Sequence, residues 1–188
     1  HSEGRNTTAF ALNSHAEGSG SVSTGAGSHS EGYLTSTYAI APYSHVEGYL
    51  NNTSASYSHA EGSQTITKGV ASHTEGNQTT TIGSYSHAEG YLNVASGIYA
   101  HAEGNSNAAN ASYSHAEGEI TTTLGTNSHA EGYCTLTGGT GFWSHAEGFQ
   151  TTTAASASHA EGFATIAGGK FSHAEGYQTT TLPNTEGS

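Results

Sequence analysis

The sequence predicts an all-β fold, a parallel β-solenoid of about 13 rungs of 14 residues, and three observations carry that prediction. His-x-Glu-Gly occurs thirteen times in 188 residues, from His1-Ser2-Glu3-Gly4 to His173-Ala174-Glu175-Gly176, and these copies contain all thirteen histidines. Ten of the twelve spacings between successive histidines are 14 residues; the other two, His29 to His45 and His129 to His145, are 16. Within each copy small and ionisable residues alternate, and an insertion of two residues leaves every side chain on its own face of a strand. Each copy therefore reads as one turn of a coil.

Composition agrees with a coil rather than a globule. The chain has 26 glycines, two prolines and no methionine, and too few large aliphatic residues to fill a thick interior. Repeat arrays bury surface between neighbours, so a thin core of Ala, Ser, Thr and Gly suffices. A strict phase held through thirteen copies also argues against the disorder that such a composition suggests. Residues 1–188 read as a single continuous array, and a start at His1 rather than Met makes a fragment of a longer protein the expectation.

Charge and cysteine narrow the functional classes. Fifteen Glu, no Asp and only Arg5, Lys68 and Lys170 as fixed cations give a formal charge of −12. That disfavours nucleic acid and anionic membranes as partners. No stretch approaches the roughly 18 apolar residues of a membrane span, so no membrane insertion is expected. A single cysteine, Cys134, rules out a disulfide within the chain.

With the Ser before each His as position 1, the consensus is Ser-His-Ala-Glu-Gly-Tyr-x-Thr-x-Thr-x-Gly-x-Tyr. Positions 1 to 4 read as a short strand with a small face and an ionisable face, ended by Gly at position 5. Positions 7 to 11 read as a second short strand. Positions 8 and 10 are Thr, Ser, Asn or Ala, while 9 and 11 admit residues such as Lys68 and Asn110. A face that admits lysine lies outside, so 8 and 10 point inward with 1 and 3. A small residue near position 12 makes the second bend. Aromatics at positions 6 and 14, such as Tyr33, Phe149, Tyr43 and Trp143, flank the first strand. The 16-residue copies, 28–43 and 128–143, are expected to carry local bulges. Rungs advancing about 4.8 Å make thirteen of them on the order of 60 Å tall. A core so thin leaves outward Val, Ile, Leu and Tyr to be covered, and oligomerisation about a long axis is the physical remedy.

The Ser-His-Ala-Glu-Gly copies at this spacing resemble the haemagglutinin-like head repeats of trimeric autotransporter adhesins. They are closer still to the His-Glu-Gly variant in tail-fibre proteins of phages and phage-like particles. The resemblance spans the chain and implies a left-handed parallel β-roll, three chains wound into a homotrimeric fibre, and an extracellular role in attachment. Adhesin heads mostly carry Asn-Ser-Val-Ala-Ile-Gly where this chain has the His-Glu motif, so host and ligand do not carry over. The implied function is a non-enzymatic structural and adhesive segment that spaces and presents a host-binding tip on a virion tail or bacterial surface. Its partners are itself and a receptor contacted elsewhere in the full chain. A self-assembling extracellular filament is the runner-up.

The candidate site is the ladder His15/Glu17, His29/Glu31, His45/Glu47, His59/Glu61, His73/Glu75, His87/Glu89, His101/Glu103, His115/Glu117, His129/Glu131, His145/Glu147, His159/Glu161 and His173/Glu175. Stacked carboxylates about 5 Å apart repel by roughly 3 kcal/mol per adjacent pair at an effective dielectric near 20. His on the same face, from the same chain or a neighbour, is expected to offset this by donating ring N–H bonds, which makes the ladder an inter-chain zipper sensitive to pH. No cofactor is expected; the sharper alternative is a transition metal held by some rungs of the histidine ladder. Ser-His with a nearby Glu imitates a catalytic triad, but adjacent residues of a strand face opposite ways. No catalytic residue is assigned. Cys134 lacks a paired thiol or dedicated base. The Thr-x-Thr pairs would suggest an ice-binding solenoid if they faced outward, and their inward facing argues against it.

Overall fold

The computed structural model describes residues 1–183, so the motif echo in Asn184-Thr185-Glu186-Gly187-Ser188 lies outside the described residues. The chain is an all-β parallel β-solenoid of about 13 turns, with no helix among the described residues. Contacts divide it into two compact units, His1–Ala95 and Ser96–Ser188.

In the first unit the His-Glu strands are Ser2–Arg5, His15–Ser19, His29–Tyr33, His45–Tyr49, His59–Ala60, His73–Thr74 and His87–Ala88. Each pairs in parallel with the next, one repeat later. A second sheet stacks the two-residue strands Thr8–Ala9, Val22–Ser23, Ser36–Thr37, Asn52–Thr53, Ile66–Thr67, Thr80–Thr81 and Val94–Ala95. The second unit repeats the plan with His101–Asn105, His115–Glu119, His129–Tyr133, His145–Phe149, His159–Phe163 and His173–Tyr177. Its short strands run from Ala108–Ala109 to Thr180–Thr181. Equivalent residues are in register: His115 lies on His129, Glu117 on Glu131 and Gly118 on Gly132.

Two strand boundaries differ from the sequence expectation. The first strand does not end at the position-5 glycine; in most copies it runs through it to position 6, as in His115–Glu119. Glycine here has a φ near +105°, which keeps the chain extended, and Tyr49 N–H still donates to the Gly62 carbonyl at 2.9 Å. Where the strand stops at position 3, in the copies at His59, His73 and His87, position-6 residues remain bridged, as in Ser63 with Asn77. The second strand is shorter than expected, positions 9 and 10 alone. The reason is a left-handed corner at position 7, occupied by Leu34, Gln64, Ile120 or Cys134 with φ between 52° and 59°. In that conformation the amide turns back to the preceding rung, so Leu50 N–H donates to the Tyr33 carbonyl at 2.9 Å while strand amides donate forward. Position 14 makes a matching corner with Tyr57, Tyr113 or Trp143 at φ 56° to 59°.

The inward facing of positions 1, 3, 8 and 10 is as the alternation predicts. Ala16, Ala60, Ala116 and Ala146 are fully buried, as are Thr53, Thr67, Thr81 and Thr123. The core is a hydroxyl column as much as an apolar one: Thr74 Oγ1 lies 2.8 Å from Thr67 Oγ1 and 2.6 Å from Thr81 Oγ1. Position-1 serines brace one corner, with Ser58 Oγ donating to the Ala55 carbonyl and Ser158 Oγ to the Ala155 carbonyl, each at 2.6 Å. Position 8 braces the other: Asn51 Nδ2 donates to the carbonyls of Glu47 and Gly62, and its Oδ1 accepts from Thr65 N–H at 2.8 Å. The extra two residues of each 16-residue copy fall in the position-14 corner. Two successive turns occupy 39–43 and 139–143, and His29 still pairs with His45 and His129 with His145. The enlarged corners expose Ile40 and Trp143.

Candidate functional surface: the histidine and glutamate columns

The His-Glu strands place positions 2, 4 and 6 on one outer face, because the buried Ala of position 3 fixes the alternation. Parallel, in-register pairing then turns the predicted residues into columns. In the first unit the imidazoles from His1 to His87 stack at centroid separations of 4.7 to 4.9 Å with ring planes within 7°. In the second unit those from His101 to His173 stack at 4.7 to 4.9 Å. Away from the terminal rungs these His and Glu side chains are about one-third exposed, for example 33% and 32% for His115 and Glu117. The predicted residues, from His15 and Glu17 to His173 and Glu175, lie along these columns.

In the copies at His59, His73 and His87 the strand ends at position 3, so Glu61, Glu75 and Glu89 each stand just past a strand end. Glu89 is half-buried, with its backbone carbonyl accepting from Asn93 Nδ2. His87 Nε2 in turn lies 3.4 Å from Glu75 Oε1 of the preceding rung, so the contact at this level runs between rungs as well as within one.

The closest His–Glu approach is at the exposed first rung, where His1 Nε2 lies 2.9 Å from Glu3 Oε1. In the other rungs described by a distance, the paired atoms stand at ion-pair rather than hydrogen-bond range, 3.3 to 3.9 Å. The stacking spaces the rings by the rung rise, and an Nε2 can sit opposite two carboxylates, its own and that of the preceding rung, as His29 does with Glu31 and Glu17. Glu31 is pushed up to about 7 because the Glu17 and Glu47 carboxyls hydrogen-bond to it, with burial adding to the effect. Burial and neighbouring imidazoles hold His29, His45, His59 and His129 below the ordinary histidine range, against the pull of nearby glutamates. Glu31 thus holds its proton towards neutral pH.

The glycine column beside these carboxylates leaves an open trough. In the second unit it encloses about 940 Å³ along Glu103, Glu117, Glu131, Glu147, Glu161 and their glycines, and in the first about 530 Å³. Position-6 rings stand next to it, with Tyr133, Phe149, Phe163 and Tyr177 stacked at 4.9, 4.8 and 5.1 Å. Rings stacked on each other present edges to solvent. They are not laid out as the flat platforms on which sugar rings stack.

Other arrangements weighed from sequence take definite places. Position-1 Ser is buried, its hydroxyl committed to a carbonyl and opposite in facing to the adjacent His. The paired threonines, such as Thr65 and Thr67 or Thr121 and Thr123, are fully buried, so these pairs offer no hydroxyl array to ice. Cys134 occupies a left-handed corner and is partly exposed. Two histidines of adjacent rungs and a glutamate come within 4.8 Å of one another repeatedly, as in His15, Glu17 and His29. Parallel stacked rings, however, direct their in-plane lone pairs side by side, so an ion midway between two rings meets their faces. Adjacent histidines therefore do not converge on one metal in this packing.

No protein-family model matches the chain, and no curated protein matches it. The columns are accordingly interpreted from their own geometry. What the sequence did not reveal is the bracing by position-1 Ser and position-8 Asn; buried hydroxyls and amides look alike in a low-complexity pattern until their carbonyl partners are seen.

Proposed function

We propose that this chain is a non-enzymatic structural segment of an extracellular homotrimeric fibre, on a phage or phage-like tail or a bacterial surface, that spaces and presents a host-binding tip. One observation carries the self-association. Val46 is the only apolar side chain larger than Ala that is buried among the described residues, while Tyr57, Ile82, Tyr113, Leu124 and Trp143 are 44% to 68% exposed. Apolar area on that scale, repeated along columns, calls for a partner with the same rung period, and another copy of the chain has it. The in-register His, Glu and aromatic columns are the surfaces it would cover. The repeat resemblance adds the trimer, the fibre and the extracellular setting.

Sedimentation equilibrium tests the reading. The expected mass is three times the chain's 19.1 kDa, independent of concentration. A 19.1 kDa species at all concentrations would sink it, and a mass growing with concentration would favour a self-assembling filament.

A further inference from the structure

We propose that the His-Glu columns of the second unit bind zinc, or a similar late first-row divalent ion, through one imidazole and two carboxylates of successive rungs. Such a site uses residues of one chain and needs neither the trimer nor the fibre. His129 Nε2 lies 3.4 Å from Glu117 Oε1 and 3.8 Å from Glu131 Oε2. His115 Nε2 repeats the arrangement with Glu103 Oε1 at 3.3 Å and Glu117 Oε2 at 3.8 Å, and His145 with Glu131 Oε1 at 3.8 Å and Glu147 Oε2 at 3.6 Å. Glu117 and Glu131 therefore each give one oxygen to the histidine of their own rung and the other to that of the next.

These separations are long for hydrogen bonds. They lie close to the edge of a tetrahedral zinc sphere, whose ligands stand about 3.3 Å apart when the metal-ligand bonds are about 2.0–2.1 Å. The Nε2 atoms of His115, His129 and His145 are enclosed and have no hydrogen-bond partner, so in the tautomer with the proton on Nδ1 the Nε2 lone pair is available as a donor. Stacking disfavours two adjacent histidines sharing an ion, but a site of one histidine and two carboxylates needs the in-plane lone pair of a single ring. The fourth position faces the trough along the glycine column, which is open to water. The nitrogen donor and small ligand spacing favour zinc, cobalt or nickel over calcium, which takes six to eight oxygens at about 2.3–2.6 Å. Ions on neighbouring rungs would share a carboxylate and repel, so filling is expected on alternate rungs.

The test uses the full chain without an added histidine tag, stripped with chelator and dialysed against zinc. Metal analysis is expected to find bound zinc that a hundredfold excess of calcium does not displace, and zinc-edge X-ray absorption to show imidazole and carboxylate neighbours. The H115Q/H129Q/H145Q variant, checked for retained β-structure by circular dichroism, is expected to hold at least one ion fewer per chain. Absence of zinc uptake, an ion with oxygen neighbours alone, or displacement by calcium would overturn the proposal; the X-ray and calcium arms use the unmodified chain, so they decide it even if the variant misfolds. A folded variant with unchanged stoichiometry would overturn it too.

Discussion

A methyl group added at Gly118 would lie 2.2 Å from the Gly132 carbonyl oxygen, on a backbone whose φ is +105°. Both the contact and the torsion exclude a side chain, and the same clash recurs at Gly18 and Gly162 against the glycine of the next rung. Gly118→Ala is expected to lower stability by at least about 2 kcal/mol, since the carbonyl cannot retreat without breaking its ladder bond. The corner residues behave oppositely. Ala71 holds φ +52°, a left-handed conformation that costs an alanine roughly 1 kcal/mol, and the equivalent corner at Gly27 already carries glycine. Ala71→Gly is expected to leave stability unchanged or raise it by up to about 1 kcal/mol, relief of strain offsetting added chain entropy. Urea unfolding of the two variants separates these outcomes; a Gly118→Ala protein as stable as wild type would show that the rungs are looser than the glycine column implies.

Facing and register were legible in the sequence because they follow from period and alternation: thirteen copies, even-numbered insertions, and Lys68 marking the outer side of the second sheet. Strand ends were not. Leu34, Tyr57 and Trp143 sit at left-handed corners where sequence rules anticipate glycine or asparagine; there each amide donates to the preceding rung, to the carbonyls of Ser19, Pro42 and Thr126, which offsets the local preference. Glu89 carries the same motif as Glu117, yet only Glu117 lies within a strand, a difference that the repeat itself does not encode. Of the candidate site, the outward His and Glu columns were legible, but the upward shift of Glu31 between Glu17 and Glu47 was not, since it depends on side-chain lean within a stack. Bracing of the corners is likewise a property of the element. Asn51 is fully buried and satisfies the Glu47 and Gly62 carbonyls and the Thr65 amide. Asn51→Ala strands these groups and is expected to cost about 2 to 3 kcal/mol. Asn51→Thr should retain more than half of that, because Thr79 at the equivalent place donates to the Glu75 carbonyl at 2.7 Å. Equal losses for the two variants would show that side-chain volume, not the hydrogen bond, holds the corner.

For the molecule as a whole, the shifted groups of the ladder set how stability depends on pH, and its histidines and Glu31 act in opposite directions. The histidines His29, His45 and His59 have folded pKa values below 6.5, so their contribution is complete above 6.5 and declines as pH falls, when protonation favours the unfolded chain. Glu31, raised from 4.5 to about 7, contributes most below 4.5 and loses that contribution as pH climbs through about 7, when ionisation sets its charge against Glu17 and Glu47. A chain with a formal charge of −12 at pH 7 gains from the proton Glu31 retains, because it reduces self-repulsion. The expected melting temperature therefore passes through a maximum between about pH 6 and 7 and falls on both sides. Thermal unfolding in chelator at pH 5, 6.5 and 8 measures it. The Glu31→Gln variant, which cannot ionise, should keep the acid limb and lose part of the alkaline one. A curve flat across this range, or an alkaline limb untouched by Glu31→Gln, would mean that the carboxyl column is screened by solvent and that the ladder is stable without the proton on Glu31.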